Sequence, residues 1–263
     1  MEKIPRTRTT NKMDNKKPKV ITIASIKGGV GKSTSAIILA TLLSKDNKVL
    51  LIDMDTQAST TSYFYKKIAN QNIDIVNVNV YRVLKEKLDI NDSIIKIKEN
   101  LDLIPSYLTL SKFSSESIPL KELRLQNNLE FLNQNYHYVI IDTNPSLDYT
   151  LLNALMTSNC IIVPMTAEKW AVESLELLEF HMNNLKIKIP IFLIITRFKK
   201  NNTHKQLLQH VGSRTGFLGF IHEREDLNKK IARNDEFDMT KDYIYEYKEV
   251  LSRFFIMYDK YVQ

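Results

Sequence analysis

A chain of 263 residues, 43% of them hydrophobic, has enough apolar surface to bury a large core, and a single α/β domain of this length is ordinary. No apolar run approaches the ~20 residues that a membrane-spanning helix needs, and the charged N-terminus has no apolar stretch behind it, so neither a span nor a secretory leader is expected. The formal net charge of +7 is uneven: residues 1–19 hold seven basic and two acidic side chains, a net of +5, which leaves +2 for everything else.

Residues 1–18 therefore read as a basic, disordered tail almost without apolar side chains. A DNA-binding arm and a solvated leader both remain open, since basic residues add affinity for a polyanion without reading its sequence. One folded domain is expected over 19–263. It opens with the β-branched run Val20-Ile21-Thr22-Ile23-Ala24, a strand, and the helical pattern Ala36-Ile37-Ile38-Leu39-Ala40-Thr41-Leu42-Leu43 follows. Between them lies Ser25-Ile26-Lys27-Gly28-Gly29-Val30-Gly31-Lys32-Ser33-Thr34, with three of the chain's six glycines. A phosphate chain needs inward backbone N–H groups, little side-chain bulk and a helix N-terminus behind it, and a strand-turn-helix junction supplies all three. At this spacing the amides of Gly28, Gly29, Val30, Gly31, Lys32, Ser33 and Thr34 wrap phosphate, Lys32 reaches the β- and γ-phosphates, and the Ser33 hydroxyl holds magnesium.

The strand predicted at 48–53 ends in Asp53-Met54-Asp55-Thr56-Gln57-Ala58-Ser59. Aspartates there can cap a following helix, but at the C-terminal end of a parallel strand they also border the crevice in which such sheets bind ligands. Residues 60–118 are the least patterned: a helix at 80–88, a strand at 101–104 and a surface loop at 111–117 are expected. After a helix at 120–133, the buried strand 138–142 ends in Asp142-Thr143-Asn144-Pro145-Ser146-Leu147. Strands at 161–165, 190–196 and 217–221 alternate with helices at 147–156, 169–184, 203–211, 226–234 and 242–261. Such alternation implies an α/β fold with a mostly parallel twisted sheet covered by helices on both faces. The single cysteine, Cys160, falls in a strand and reads as buried, and Trp170 reads as a core residue. The last helix repeats apolar residues from Tyr243 to Tyr258 on one face, and its charges balance, which suits a core helix better than a membrane-surface one. A sparse basic group, Arg197, Lys199, Lys200, Lys205, Arg214, Lys229, Lys230 and Arg233, is either a DNA-binding surface or a solvated face, with Glu223, Glu225 and Asp226 beside it.

The Lys-Gly-Gly-Val-Gly-Lys-Ser run resembles the deviant Walker A loop of the P-loop NTPases that include ParA-type partition ATPases, MinD, the nitrogenase iron protein and the tail-anchored-protein targeting ATPases. The resemblance implies that Lys27 is the signature lysine that crosses a dimer interface to the partner's nucleotide. Asp53 to Ser59 is similar to the family's Asp-x-Asp-Pro-Gln-Gly segment, with Thr56 and Ala58 in place of proline and glycine; it implies that Asp55 positions the attacking water and Asp53 belongs to the outer magnesium shell. Asp142 to Leu147 is similar to Asp-Thr-Pro-Pro-Ser-Leu, with Asn144 for the first proline, which gives Asp142 the Walker B role of holding magnesium through water. Residues 166–180 resemble a helix start that joins the dimer interface, with Ser174 for glycine, and 220–224 stands where the family has Ile-Pro-Arg near the adenine. Phe198 and Ile221 are assigned to the nucleotide's surroundings on the same basis. One cysteine excludes the iron–sulfur branches, and nineteen residues ahead of the core cannot hold the helix-turn-helix of the longer members.

A ParA-like protein is thus expected: a slow, magnesium-dependent ATPase whose ATP-bound homodimer holds nonspecific DNA and releases it on hydrolysis. A ParB-like centromere-binding partner would stimulate that hydrolysis, in the cytoplasm and at the nucleoid, with no membrane involved. A MinD-like or cargo-positioning ATPase, acting at a membrane or on a protein cargo, is the alternative reading. A dethiobiotin-synthetase-like ligase is a more distant one, and nothing in the sequence resembles its acceptor site.

Overall fold

The computed structural model describes residues 17–262, so most of the basic tail lies outside the described residues. Eight strands form one sheet: β1 (Lys19–Ile23), β2 (Val49–Met54), β3 (Ile95–Lys98), β4 (Leu101–Ile104), β5 (Tyr138–Thr143), β6 (Cys160–Thr166), β7 (Ile191–Phe198) and β8 (Phe217–His222). Their order is β3-β4-β2-β5-β1-β6-β7-β8, and only β3 runs antiparallel to its neighbour. The central strands are apolar on both faces, because both faces are covered.

The helices are α1 (Lys32–Leu43), α2 (Ser59–Tyr63), α3 (Tyr65–Ala69), α4 (Val80–Leu84), α5 (Arg124–Leu129), α6 (Tyr149–Thr157), α7 (Lys169–Asn184), α8 (Asn202–Gly212), α9 (Glu225–Arg233) and α10 (Asp242–Val262). One face of the sheet carries α1, α3, α9 and α10, with Ile38, Leu39, Tyr247 and Phe254 in its core. The opposite face carries α4 to α8 in two adjoining apolar clusters. Helix α1 is apolar nearly all round because it lies between β-strands and α10, the environment in which such a helix is stable. Helix α10 buries Tyr243, Ile244, Tyr247, Val250, Phe254 and Tyr258, the face its sequence periodicity marks. Cys160 is buried, and burial pushes its thiol up to about 12.

Departures from expectation fall where the sequence pattern is weakest. Residues 108–115 form 3-10 turns instead of a surface loop, because Leu110 and Phe113, three apart, both drop into the core. Strand β3 was not foreseen; its alternation of two isoleucines with two lysines is too short to stand out. The helix expected over 120–133 survives only as α5, since Asn128 turns its side chain back to the Arg124 carbonyl (2.8 Å), a bond that competes with the helix ladder. Helix α4 stops at Leu84, and Glu86 takes a left-handed backbone (φ 54°).

Strand register brings two carboxylates together. In the parallel pair β2/β5, Asp53 lies opposite Asp142, and in β1/β5, Ile23 lies opposite Asp142. The loop between β1 and α1 therefore leaves the sheet beside both aspartates. Phe254 packs edge-on against Phe192 (5.1 Å between ring centroids) and beside Tyr258; Phe254→Ala should cost about 3–5 kcal/mol of stability, read as a lower urea midpoint at unchanged slope.

Candidate nucleotide-binding site

Gly29 (φ 73°) and Gly31 (φ 83°) both need the left-handed backbone, and a Cβ at either would meet nothing closer than Thr196 Cγ2 at 3.9 Å from Gly31. Backbone sign, more than crowding, demands glycine at these two positions. The loop is tied to the neighbouring strands by Thr196, whose hydroxyl donates to the Val30 carbonyl (2.8 Å). Lys32 is buried at the loop's end and donates to the Lys27 carbonyl (3.2 Å). Burial lowers its pKa, while Asp142 and Asp55 pull the other way. A cleft of about 360 Å³ opens over the loop, and Gly28, Gly29, Gly31, Lys32, Ser33, Thr34 and Asp55 all line it.

The three aspartates divide the work. Asp53 is fully buried with both oxygens engaged: Oδ1 accepts from the Asp55 amide (3.0 Å), and Oδ2 accepts from the Thr61 amide (2.8 Å) and hydroxyl (2.7 Å). It does not line the cleft, and its bonds organise the loop after β2. Asp142 accepts from the Thr60 hydroxyl through Oδ2 (2.8 Å), and its buried Oδ1 has no hydrogen-bond partner. Burial raises the pKa of this carboxyl, and Ser33 beside it pulls the other way. An orphaned carboxylate oxygen next to a hydroxyl is the donor set a hard divalent cation takes, and the residues fit magnesium. Asp55 lines the cleft, and the Gln57 amide (2.8 Å to Oδ1) fixes its orientation. Burial raises its pKa, opposed by the Gln57 bond and by Lys32.

Loop rigidity at the three departures from the family pattern has a physical source. Ala58 keeps the left-handed backbone (φ 51°) that a glycine would take freely, at a cost of about 1–2 kcal/mol. The segment is clamped regardless, by Asp53 on Thr61 and by Ser106, which donates its hydroxyl to the Asp55 carbonyl (2.7 Å) and its amide to Thr61 Oγ1 (2.8 Å). Asn144 replaces proline with a side-chain brace, donating to Asp148 (3.0 Å) at the start of α6.

Known proteins are similar to this chain. The family model described as an AAA domain matches residues 18–195. Soj, the sporulation initiation inhibitor protein of Bacillus subtilis, is 39% identical over 205 residues, covering 73% of this chain and 78% of Soj. The chain belongs to the family of ParA-type partition ATPases. A plasmid partition protein of Borrelia burgdorferi is 58% identical, with a TM-score of 0.84 over 92% of this chain and 99% of that one. A second Borrelia burgdorferi structure, from strain B31 and bound to AMPPNP, is 61% identical, with a TM-score of 0.90 over 91% of this chain and 99% of that chain.

Against the ParA pattern, the remaining expected residues separate clearly. Lys27 does not line its own cleft; its ammonium pairs with Glu168 at the start of α7. Trp170, expected in the core, is 66% exposed on the first turn of α7. An apolar residue at helical spacing does not reveal whether its face meets core or a second molecule. Ile221 lines the cleft, whereas Phe198 is buried beneath it, against Phe220 (4.7 Å) and His222 (5.5 Å). Of the basic group, Arg197 reaches the cleft rim, and Lys199, Lys200 and Lys205 are exposed around the start of α8. Lys199 is paired with Glu223 (2.7 Å) and Lys229 with Glu225 (2.8 Å), and Lys230 and Arg233 share α9 with the latter pair. Arg214 lies past the far end of α8, about 16 Å along that helix, bound to Glu179 of α7 (3.1 Å). The structure does not bring it together with the others.

Sequence reasoning missed Thr60, Thr61 and Ser106, which reach the aspartates only because two loops fold together; their spacing carries no signal. Asp53 and Asp142 have carboxyl pKa values raised first by burial, and for Asp53 next by Asp142. The folded state then holds protons that the unfolded chain releases above the ordinary value of 3.8. Stability of the ligand-free protein should therefore fall as pH rises from about 5 to about 8. Urea midpoints across this range check it, and Asp142→Asn should flatten the slope.

Proposed function

We propose that this ParA-type ATPase is an ATP-driven switch for DNA partition, in which an ATP-bound homodimer holds nonspecific DNA and hydrolysis releases it. The observation that carries this reading is the split of the site: Lys32, Ser33 and Asp55 line the cleft, while Lys27 is held outside it by Glu168, ahead of a helix whose first turn carries the exposed Trp170. A second copy presented to this face would receive Lys27 at its nucleotide. The 61% identity to a Borrelia protein that binds AMPPNP supports ATP as the ligand, and the plasmid partition relatives support a plasmid cargo and a ParB-like partner.

The loop amides and Lys32 hold the β- and γ-phosphates, and Asp55, fixed by the Gln57 amide, orients the attacking water. Ser33 and Asp142 would hold magnesium, which when bound neutralises charge on the phosphates. Lys27 of the second copy adds a cation at the transition state. The exposed Lys199, Lys200, Lys205, Lys229 and Arg233, with the half-buried Lys230, supply the DNA-facing charge, and the protein acts in the cytoplasm and at the nucleoid. Helix α10 packs its apolar face into the core, which supports a reading without a membrane-surface helix, and no described helix is long and apolar enough to cross a membrane.

Lys32→Ala should abolish ATP binding measured by calorimetry. Asp55→Ala should keep ATP-dependent dimers in sedimentation and lose turnover by about a hundredfold or more; normal hydrolysis would remove the water-positioning role. Lys27→Ala should bind nucleotide yet lose the concentration-dependent rate. Anisotropy of a random-sequence DNA duplex should rise with ATP and magnesium, not with ADP, and should weaken with added salt. Cosedimentation with anionic vesicles but not with DNA would sink the partition reading.

A further inference from the structure

Lys27 is tied down at both of its ends. Its carbonyl accepts from the Lys32 ammonium (3.2 Å) and its amide donates to Ser25 Oγ (3.4 Å), which anchors the main chain in the phosphate loop, while the side chain reaches across to Glu168, the residue ahead of α7. Only the side chain is placed to move. The Lys27 side chain is 25% exposed and that of Glu168 57%, so the pair lies at the surface, where ion pairs are weak and reversible.

The carboxylate that holds this lysine has other partners within reach. Glu168 is the N-cap residue of α7, yet its side chain makes no bond to the helix, and the first turn of α7 carries no acid. The first amides of a helix lack intrahelical acceptors, and its N-terminus favours negative charge. Glu168 turns to Lys27 instead, and the Lys27 hydrogen bond is the main reason that the Glu168 pKa falls below the ordinary carboxylate value; burial opposes it, and Arg197 on the cleft rim and His204 of α8 add smaller pulls downward. Withdrawal of Lys27 therefore leaves Glu168 with a cation and a helix end still in range.

We infer that Glu168 is a positioning residue for the crossing lysine: it holds Lys27 back on its own copy and must give it up when two copies join, so this ion pair opposes assembly. Two such pairs break in a symmetric dimer, and the effect enters the dimer constant twice. A phosphate chain carries several negative charges against the carboxylate's one, so Lys27 leaves Glu168 when the second copy presents a loaded cleft. The inference rests on the reading of an ATP-bound homodimer and adds to it the contact that restrains assembly.

The test is sedimentation of the full chain with AMPPNP and magnesium, which reads assembly without turnover. Glu168→Gln, which removes the charge and keeps the shape, should tighten the dimer about tenfold, while AMPPNP affinity at protein concentrations too low for dimers stays as in wild type. Glu168→Asp, a carboxylate one carbon shorter, should return most of the way to the wild-type constant. Glu173→Gln, which removes the same charge from an exposed position at the start of the second turn of α7, should leave the constant within about twofold of wild type. A dimer unchanged or weakened in Glu168→Gln would overturn the inference, because Glu168 is then a bystander or an interface contact, while the wild-type dimer leaves the homodimer reading standing. Equal tightening in Glu173→Gln would overturn it too, since net charge alone then sets the constant. Should neither wild type nor Glu168→Gln form a dimer while both bind AMPPNP, the homodimer reading falls and the inference with it; a dimer in Glu168→Gln alone supports both.

Discussion

Two carboxyl groups placed opposite each other at the ends of neighbouring parallel strands, with no solvent around either, set the terms for the whole site. Asp53 and Asp142 owe this position to strand register, and register is enforced by the apolar residues that precede them on β2 and β5. A buried like-charged pair is unfavourable unless hydrogen bonds, protons or cations compensate it. Threonines answer part of the demand: Thr61 bonds Asp53, and Thr60 bonds Asp142. What remains unmet is one oxygen of Asp142. The same electrostatics that set these carboxyls against each other suit a site for a cation.

Around that centre the fold joins parts that are far apart in the chain. Tyr247 of α10 meets Ser35 of α1 (2.9 Å), so the C-terminal helix bears on the helix that carries the phosphate loop. One helical turn holds both Tyr247 and Glu246, and Glu246 in turn fixes His222 and Arg224 at the end of β8. The phosphate end and the far end of the cleft thus share a support. A displacement of α10 would be felt at both.

Much of this was legible in the sequence because charge and glycine mark it. Lys27, Lys32, Asp55 and Asp142 sit where strands end, and a strand end is visible as the point at which a β-branched run stops. The mostly parallel sheet followed from alternation alone. Residues that act through folding-back left no mark: Thr60, Thr61, Ser106 and Glu246 are ordinary polar residues until loops and helices bring them to the site. Trp170 was misread because helical spacing identifies a face and not what covers it. The direction in which the Asp53 oxygens point left no mark either, since a motif gives residue types alone.

The antiparallel strand β3 has a bearing on how copies of the chain can meet. It is four residues long, carries Lys96 and Lys98, and its pairing with β4 shifts register between those two lysines. A short, charged and irregular border is a poor template for strand addition. Growth of the sheet from one molecule into the next is disfavoured on that side, and contact between copies is left to side-chain surfaces, where it can be made and undone without disturbing a backbone ladder.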